Sequence, residues 1–290
     1  MLMYAGGFAL SRSHLEAGLA LYDPISHHSL AHQTGSHPHV VSQGYLGIVL
    51  FCLGLPDQAL AQSNAAIAEA RRLAHPPSLA GSLATGVRLL SLVGDDAALD
   101  QRAKQLVAVA TEQGFPFWRA FGTVYRGWVE VKNGDVTEGM SLLRGGSIAY
   151  RVTGAELYVP HIAVLAAACE IARQVDEAVA HLNEALEMAE RTGERWFGAE
   201  LNRHKGQLLL RQGHSEAAEE LYRKALNIAE EQEAKLWELR AAASLARLRR
   251  DQGRHAEARD LLAPVYGWFT EGFNTPDLKE ARALLDELSA

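Results

Sequence analysis

Histidines are concentrated in one short stretch of the sequence. Five of the 12 histidines lie in the range 27–39, and neutral imidazole is a common metal ligand. A metal site usually adds carboxylate or thiolate ligands with supporting hydrogen bonds, whereas Asp23 is the only acidic residue near this range. We therefore expect a polar connection that packs on the first helices, and we predict no metal site. The five residues are His27, His28, His32, His37 and His39.

A second pair of reactive side chains, His161 and Cys169, lies on a predicted helix with the sequence VPHIAVLAAAC. Because they are eight residues apart, they share a helix face. A Cys–His nucleophile pair needs closer approach and a third group that orients the histidine. We expect Cys169 to be a buried structural residue.

The sequence lacks the short motifs of common enzyme classes. It contains no G-x-x-x-x-G-K-[ST] phosphate loop, no G-x-S-x-G, no H-E-x-x-H and no C-x-x-C. Gly145, Gly146 and Ser147 lack the lysine of a phosphate loop, and we interpret them as small residues at a helix crossing. The sequence therefore predicts a protein that is not an enzyme and has no cofactor.

The composition narrows the class of protein. The chain has 290 residues, of which 48% are hydrophobic and 22% charged, and a formal net charge of -7. The negative charge argues against a protein that binds nucleic acid or an anionic membrane. The two cysteines, Cys52 and Cys169, are too few for a disulfide scaffold, which favours a cytoplasmic location. No apolar run reaches the roughly 18 residues of a membrane span.

Glycines recur at a 40-residue interval, with Arg173 at the one place in the series where glycine is missing. Such self-similarity is typical of repeat proteins. Around Gly213, apolar residues follow helical spacing on both sides, which predicts two amphipathic helices that flank a short turn. The glycines of the series are Gly54, Gly94, Gly134, Gly213 and Gly253.

Small residues recur around these turns. Gly206 lies seven residues before Gly213, and Ala218 and Ala225 follow it after five and twelve residues. Helices approach closely only where side chains are small, so we predict that these positions are helix crossings. The same pattern along the chain gives the structural repeat positions Gly47, Gly54, Ala59, Gly127, Gly134, Gly206, Gly213, Ala218, Ala225, Gly253 and Ala258.

The pattern Small-x6-Gly-x4-Ala-x6-Ala in a helical hairpin resembles the tetratricopeptide repeat (TPR), with a period of about 40 rather than about 34 residues. The longer unit is similar to the C-terminal TPR regions of bacterial signalling ATPases and large ATP-dependent transcription activators. Residues 14–35 and 267–288 also resemble the C-terminal part of predicted ATPases fused to adenylate or guanylate cyclase domains. The nucleotide-binding, cyclase and DNA-binding parts of such proteins are absent from this sequence.

We predict an all-α fold, a right-handed superhelical solenoid of six to seven TPR-like hairpins that occupies residues 1–290 as a single domain. Residues 1–38 contain a truncated first hairpin and the histidine-rich connection, and 272–290 contain a capping helix that starts at Thr275. No cap protects the N-terminal end, which predicts missing upstream sequence or self-association there. The six full hairpins fill 39–271, at about 39–74, 77–113, 116–153, 156–192, 196–232 and 235–271.

The resemblance also implies a binding surface. In TPR arrays the first helix of each hairpin lines a concave groove, and the residue after its small position points inward. The candidate partner-binding residues in the groove are Arg88, Trp128, Arg203, Gln207, Arg211, Arg247 and Arg250. The arginines near the C-terminal end predict a site for a carboxylate or an acidic peptide, and Trp128 predicts an aromatic anchor. Alternatively, the arginines pair with neighbouring glutamates, and Trp128 belongs to the core.

Two functions fit this architecture. The first is a non-catalytic scaffold that binds a protein or peptide partner in its groove, as a regulatory part of a bacterial signalling or transcription-control system. The second, implied by the resemblance, is a small-effector sensor module detached from a signalling ATPase or nucleotide cyclase. An enzyme is disfavoured because the sequence offers no acid–base or nucleophile set.

Overall fold

The computed structural model of the chain describes residues 2–23, 34–156 and 159–289. These ranges contain fourteen α-helices and no strand, which confirms the all-α class. Within them, no helix is both long and apolar enough to cross a membrane. The helices are α1 (Phe8–Ala20), α2 (Pro38–Cys52), α3 (Pro56–Arg72), α4 (Pro76–Val93), α5 (Asp96–Glu112), α6 (Pro116–Asn133), α7 (Val136–Val152), α8 (Val159–Ile171), α9 (Val175–Thr192), α10 (Gly198–Arg211), α11 (Ser215–Glu231), α12 (Lys235–Asp251), α13 (His255–Gly267) and α14 (Pro276–Leu288).

Helices α2 to α13 form six hairpins whose ends lie within four residues of the predicted limits. Local chemistry explains where several of them start. Proline, whose fixed φ suits the first helical turn, begins α2, α3, α4, α6 and α14. The Asp95 carboxylate accepts the amide of Ala98 at 3.0 Å, and the Asp135 carboxylate accepts the amide of Glu138 at 3.3 Å. Both are N-cap bonds that satisfy donors left open at a helix start.

Each hairpin turns through a residue in the left-handed region of backbone space. The glycines of the 40-residue series have φ between +78° and +99°. Arg173, which replaces glycine in the α8–α9 turn, has φ of +61°. There the Gln174 amide donates to the Cys169 carbonyl at 2.8 Å, which closes the end of α8. The turns between hairpins have a left-handed residue too, at Ala74, Gly114, Gly154, Gly193, Glu233 and Gly272.

Replacing Arg173 with glycine should therefore stabilise the protein. The left-handed region costs a non-glycine residue about 1–2 kcal/mol, and the greater freedom of glycine in the unfolded chain offsets part of this gain. We expect the free energy of unfolding to rise by about 0.5–1 kcal/mol in urea titrations. The matched control is Gly213→Ala, at the equivalent turn, which should lower it because φ is +87° there. A less stable Arg173→Gly variant would contradict this account of the turn.

Small residues lie where the two helices of a hairpin cross. A Cβ atom added to Gly127 would lie 2.7 Å from the backbone oxygen of Gly139 and 2.7 Å from the amide nitrogen of Leu143. One added to Gly206 would meet the Tyr222 ring at 2.7 Å, and one added to Gly47 would meet a backbone oxygen at 2.9 Å. The alanines of the repeat pattern, Ala59, Ala218, Ala225 and Ala258, are fully buried.

The helices fall into two compact units. One consists of Leu10–Phe51 and Asp57–Leu157. Its core contains buried aliphatic and aromatic side chains from successive hairpins, among them Leu83, Leu106 and Phe121. Helices α4 and α6, the first helices of neighbouring hairpins, contact each other, so their equivalent faces lie side by side.

The other unit consists of Met1–Ala9, Cys52–Pro56 and Tyr158–Ala290. Its core includes Trp196 and Trp237, both fully buried, and the Trp237 ring N–H donates to the Trp196 carbonyl at 3.1 Å. These two residues are 41 positions apart. The repeat therefore places similar side chains in neighbouring hairpins.

The N-terminal residues pack against the segment that precedes α10. The Tyr4 carbonyl accepts the backbone amides of Arg195 at 2.7 Å and Trp196 at 3.1 Å. Met3 and Phe8 are buried in the same unit. Met3 and Phe8 are therefore covered by the chain itself, whereas Leu10 and Leu21 are exposed, and self-association at this end stays a prediction.

Helix α14 is a single helix that follows the last hairpin in the unit of Tyr158–Ala290. Thr275 takes the predicted N-cap position and Pro276 the first helical position, but the Thr275 side chain does not cap the helix. Its hydroxyl instead donates to the Gly272 carbonyl at 2.7 Å. Leu278 and Leu284 are buried on the side where α14 contacts α12 and α13, so the helix covers the last hairpin as predicted.

Candidate functional site

The first helices of the last repeats form a cleft of about 230 Å³. Helix α10 contacts α12, and α12 contacts α14. Three of the predicted binding residues, Arg203, Gln207 and Arg247, lie together in this cleft. The complete lining consists of Arg203, Gln207, Leu239, Arg240, Ala243, Ser244, Arg247, Asp277 and Glu280.

The repeat period explains why these residues meet. A residue and its counterpart 40 positions later take equivalent places on adjacent first helices, as Gln207 and Arg247 do. Glu200 and Arg240 are also 40 positions apart, and the Arg240 Nη1 donates to the Glu200 Oε2 at 3.0 Å. Side chains of opposite charge are thereby placed next to each other across the helix–helix contact.

A buried ionic cluster forms the floor of the cleft. The Glu200 side chain is only 1% exposed and accepts hydrogen bonds from Arg203, at 2.7 Å from Nε and 2.9 Å from Nη2. Arg240 also donates twice to the Asp277 carboxylate, both at 2.8 Å. The Arg240 guanidinium lies 5.2 Å from the centre of the Trp237 ring, where a cation–π attraction adds to the ion pairs. Two guanidiniums thus face two carboxylates.

The electrostatics of the cluster are those of a fixed, ionised network. Burial opposes the ionisation of Glu200, but Arg203 and Arg240 outweigh it and hold the pKa of its carboxyl well below its usual range. Burial, together with Arg203, lowers the pKa of His204 to about 3, so its imidazole is neutral near pH 7. Buried pairs of this kind become costly when one partner is removed, because a charge is left uncompensated. We therefore assign Arg203 and Arg240 to structure.

Three other predicted arginines, Arg211, Arg247 and Arg250, are also paired with carboxylates. Arg247 lies 2.8 Å from Glu280, and Arg211 pairs with Glu170. Arg250 pairs with Asp251 at 2.9 Å and with Glu287 at 2.7 Å. The structure thus shows the pairing that the sequence left as an alternative. The cleft is charge-balanced rather than cationic, and α14 supplies several of the balancing acids.

Two groups in the cleft are available to a ligand. Arg247 is 37% exposed and its partner Glu280 is 65% exposed, so solvent screens this pair and it exchanges easily. The Gln207 amide makes no side-chain hydrogen bond to another residue in the described ranges. Arg247 can donate to a carboxylate, and Gln207 can both donate to and accept from a peptide backbone.

Trp128 and Arg88 do not belong to this cleft. Trp128 is half-buried on α6, with the Lys132 Nζ 5.0 Å from the centre of its ring. Phe121, about two turns earlier on α6, is buried in the core of its unit. Arg88 is half-buried on α4. Trp128 and Arg88 belong to the unit that contains Asp57–Leu157, and their role as partner-binding residues stays a prediction.

The structure describes only part of the histidine-rich stretch. His27, His28 and His32 lie outside the described residues. The backbone amide of the fully buried His37 donates to the Ser78 hydroxyl at 2.8 Å. The ring of Tyr22 stacks on His39 at 3.9 Å, and burial lowers the pKa of His39. His37 and His39 thus pack against neighbouring residues.

His161 and Cys169 are both buried on α8. Eight residues of α-helix advance about 12 Å along the helix axis. The pair is therefore too far apart for the nucleophile–base contact that a catalytic dyad requires.

Sequence reasoning missed the residues that dominate the cleft floor, Glu200, Arg240 and Asp277. A signal for the first pair was available, because Glu200 and Arg240 have opposite charges at a separation of one period. Asp277 follows Arg240 after 37 residues, a shorter interval that the 40-residue pattern does not reach.

Comparison with known proteins agrees with this geometry. A family model described as tetratricopeptide repeat matches residues 158–231 and 199–266. Residues 158–266 thus resemble tetratricopeptide repeats. An uncharacterized protein of Rhizobium meliloti (strain 1021) is 27% identical to this chain over 237 residues, which are 81% of the chain. The TPR-like chain spans only 23% of the length of that relative.

Solved structures show the same fold. RapI in its apo form aligns with a TM-score of 0.57 and 9% identity, over 97% of the TPR-like chain and 99% of its own. A tetratricopeptide repeat protein from Parabacteroides merdae ATCC 43184 aligns with a TM-score of 0.54 and 11% identity over all of both chains. BtubC (BKLC) from P. vanneervenii aligns with a TM-score of 0.51 and 16% identity, over 78% of the TPR-like chain and 91% of its own. These likenesses support the all-α repeat solenoid.

Proteins with this architecture generally mediate protein interactions, and TPR-like repeats are typically non-catalytic. The architecture by itself names no partner. What this chain binds must therefore be argued from its own side chains.

Proposed function

We propose that the TPR-like protein is a non-catalytic scaffold that binds an acidic peptide segment of a protein partner in the cleft between α10, α12 and α14. The observation that carries this proposal is the pair of ligand-accessible groups, Gln207 and Arg247, above the fixed ionic cluster. We further propose that it acts as a regulatory part of a bacterial signalling or transcription-control system. Support for that role comes from the resemblance of residues 14–35 and 267–288 to the C-terminal part of predicted ATPases fused to adenylate or guanylate cyclase domains.

The charges of the cleft explain why an acidic peptide fits. A carboxylate of the partner takes the place of Glu280 on Arg247, and the exposed pair that it breaks is worth only about 0–1 kcal/mol. The Gln207 amide then bonds to the peptide backbone. The buried bonds among Arg203, Glu200 and Arg240 hold the floor in place, so little order has to be created on binding.

The test is a selection of random peptides against the full chain, followed by titration of the selected peptides. We expect acidic residues to be enriched and Arg247→Ala to weaken binding about 10- to 100-fold, because a hydrogen bond to a charged group is worth about 1.5–3 kcal/mol. Arg259→Ala, at a side chain on α13 that is 51% exposed and outside the cleft lining, is the matched control. Binding that is unchanged in both Arg247→Ala and Gln207→Ala would contradict the proposed site.

A small-effector sensor is the second candidate function. The unit formed by α2 to α7 contains an apolar pocket of about 200 Å³. Its walls combine the Val40, Tyr45 and Trp118 side chains with the hydroxyls of Ser82 and Thr85, a mixture suited to a small ligand. Two results together would favour the sensor over the scaffold. No peptide is selected, and a small compound raises the melting temperature of the chain.

A further inference from the structure

Three potential metal ligands converge on the α8–α9 hairpin. The Cys169 Sγ and single ligand atoms of Glu177 and His181 all lie within 4.8 Å of one another. Cys169 is 1% exposed, whereas the Glu177 and His181 side chains are 40% and 23% exposed. The cluster therefore has a buried sulfur at its base and an opening toward solvent.

The hairpin brings these residues together through two local features. Glu177 and His181 are four residues apart on α9, so they lie on the same helix face. Cys169 lies near the end of α8, and the hydrogen bond from the Gln174 amide to the Cys169 carbonyl, 2.8 Å long, holds that end against the turn. The three ligands thus come from two helices joined by a three-residue connection, whose ends are fixed.

A fourth residue supports the histidine. The Glu184 Oε2 lies 3.4 Å from the His181 Nδ1, and the Glu177 Oε1 lies 3.9 Å from the opposite ring nitrogen, Nε2. A carboxylate on Nδ1 is the usual partner of a metal-binding histidine, because it fixes the tautomer and leaves the Nε2 lone pair for the metal. Here Glu184 lies on the Nδ1 side of the His181 ring, and Glu177 lies on the Nε2 side.

We propose that Cys169, Glu177 and His181 bind one divalent, thiophilic cation, Zn²⁺ before others, with Glu184 as the supporting residue. Thiolate, imidazole and carboxylate are the three side-chain ligand types of zinc, and a thiolate selects against Mg²⁺ and Ca²⁺. Ligand atoms around a tetrahedral zinc are about 3.3–3.8 Å apart, so small side-chain rotations close the observed cluster. The solvent-facing opening leaves the fourth position to a water molecule.

Binding has a defined proton balance. The Cys169 thiol loses its proton to solvent as the sulfur–zinc bond forms, and neutral His181 and ionised Glu177 bind without a proton change. The bound ion cross-links α8 to α9 in the one hairpin whose turn has Arg173 in place of glycine. This site is independent of the peptide cleft, and its test does not depend on a partner.

The experiment is a titration of the metal-free full chain with CoCl₂, followed by displacement with ZnCl₂. We expect one equivalent of Co²⁺ to produce a sulfur-to-cobalt charge-transfer band, which is lost in Cys169→Ser and retained in Cys52→Ser, the matched cysteine control. His181→Gln should weaken zinc binding at least about 100-fold, and Glu184→Gln about 10-fold, the range seen for supporting residues.

Two results would overturn the proposal. One is a folded wild-type chain that shows no sulfur-to-cobalt band in excess CoCl₂. The other is a zinc affinity that is unchanged in both Glu177→Gln and His181→Gln. These two side chains are partly exposed, so their variants carry the test even if Cys169→Ser fails to fold.

Discussion

Replacing Arg240 with alanine is expected to lower the free energy of unfolding by about 3–5 kcal/mol, the range measured when one partner of a buried ion pair is removed. The substitution removes the donor to Glu200 and both donors to Asp277. Glu200 keeps the bonds from Arg203, but Asp277, whose side chain is 18% exposed, loses its counter-charge. The contact between the Arg240 guanidinium and the Trp237 ring is lost as well.

Denaturant unfolding of Arg240→Ala, compared with that of Arg259→Ala, measures this effect. Arg259→Ala is the control, because its side chain is 51% exposed and lies 3.6 Å from its nearest acid. We expect that variant to remain within about 0.5 kcal/mol of the wild type. An Arg240→Ala variant as stable as the control would mean that the cluster between α10, α12 and α14 is not formed.

Replacing Gly127 with alanine should also destabilise the protein, by about 2–3 kcal/mol, although it adds only a methyl group. The added carbon would lie 2.7 Å from the Gly139 oxygen and the Leu143 nitrogen. Both atoms belong to the backbone of α7, so no flexible side chain can move aside. The helices would have to separate, and the packing along their whole crossing would loosen.

The chain provides a control with the opposite sign. Gly145 lies on α7 with nothing within 4 Å of its added Cβ. Gly145→Ala should therefore raise the free energy of unfolding by up to about 1 kcal/mol through helix propensity. Thermal melts of the two glycine variants give the comparison. Equal shifts for Gly127→Ala and Gly145→Ala would show that helix crossings are not packed around the predicted small residues.

The fold could be predicted from the sequence because its requirements restrict residue types strongly. A left-handed turn every 40 residues favours glycine, so the glycine series marked the hairpins. Arg173 kept the left-handed conformation without glycine, which shows that the geometry of the repeat overrides the preference of one residue. Close helix crossings require small residues, so Gly127 and Gly206 were recognisable as well.

The cleft could be predicted only in part. The TPR pattern indicated that Gln207 and Arg247 lie on the same surface, because equivalent positions repeat. It did not indicate which acids meet which arginines. Each of α10, α12 and α14 carries several charged residues, and their pairing depends on side-chain exposure and rotamers. Asp277 and Glu280 became partners only through the packing of α14, which departs from the 40-residue interval.

The proposed metal ligands could not be recognised as a motif. Cys169 belongs to α8, while Glu177 and His181 belong to α9, and their sequence spacing matches none of the short metal motifs. Helical spacing relates Cys169 only to His161 on the same helix, and Cys169 was expected to be a buried structural residue. The structure replaces that partner with residues across the turn.

Residues one 40-residue period apart, such as Glu200 and Arg240, lie side by side on adjacent hairpins. A double-mutant cycle between Glu200 and Arg240 tests this arrangement most directly, using Glu200→Ala, Arg240→Ala and the double variant in denaturant unfolding. We predict a coupling free energy of about 2–3 kcal/mol, since the two side chains share one buried network. Single effects that add to within about 0.5 kcal/mol, as they do for distant residues, would contradict the stacking of the repeats.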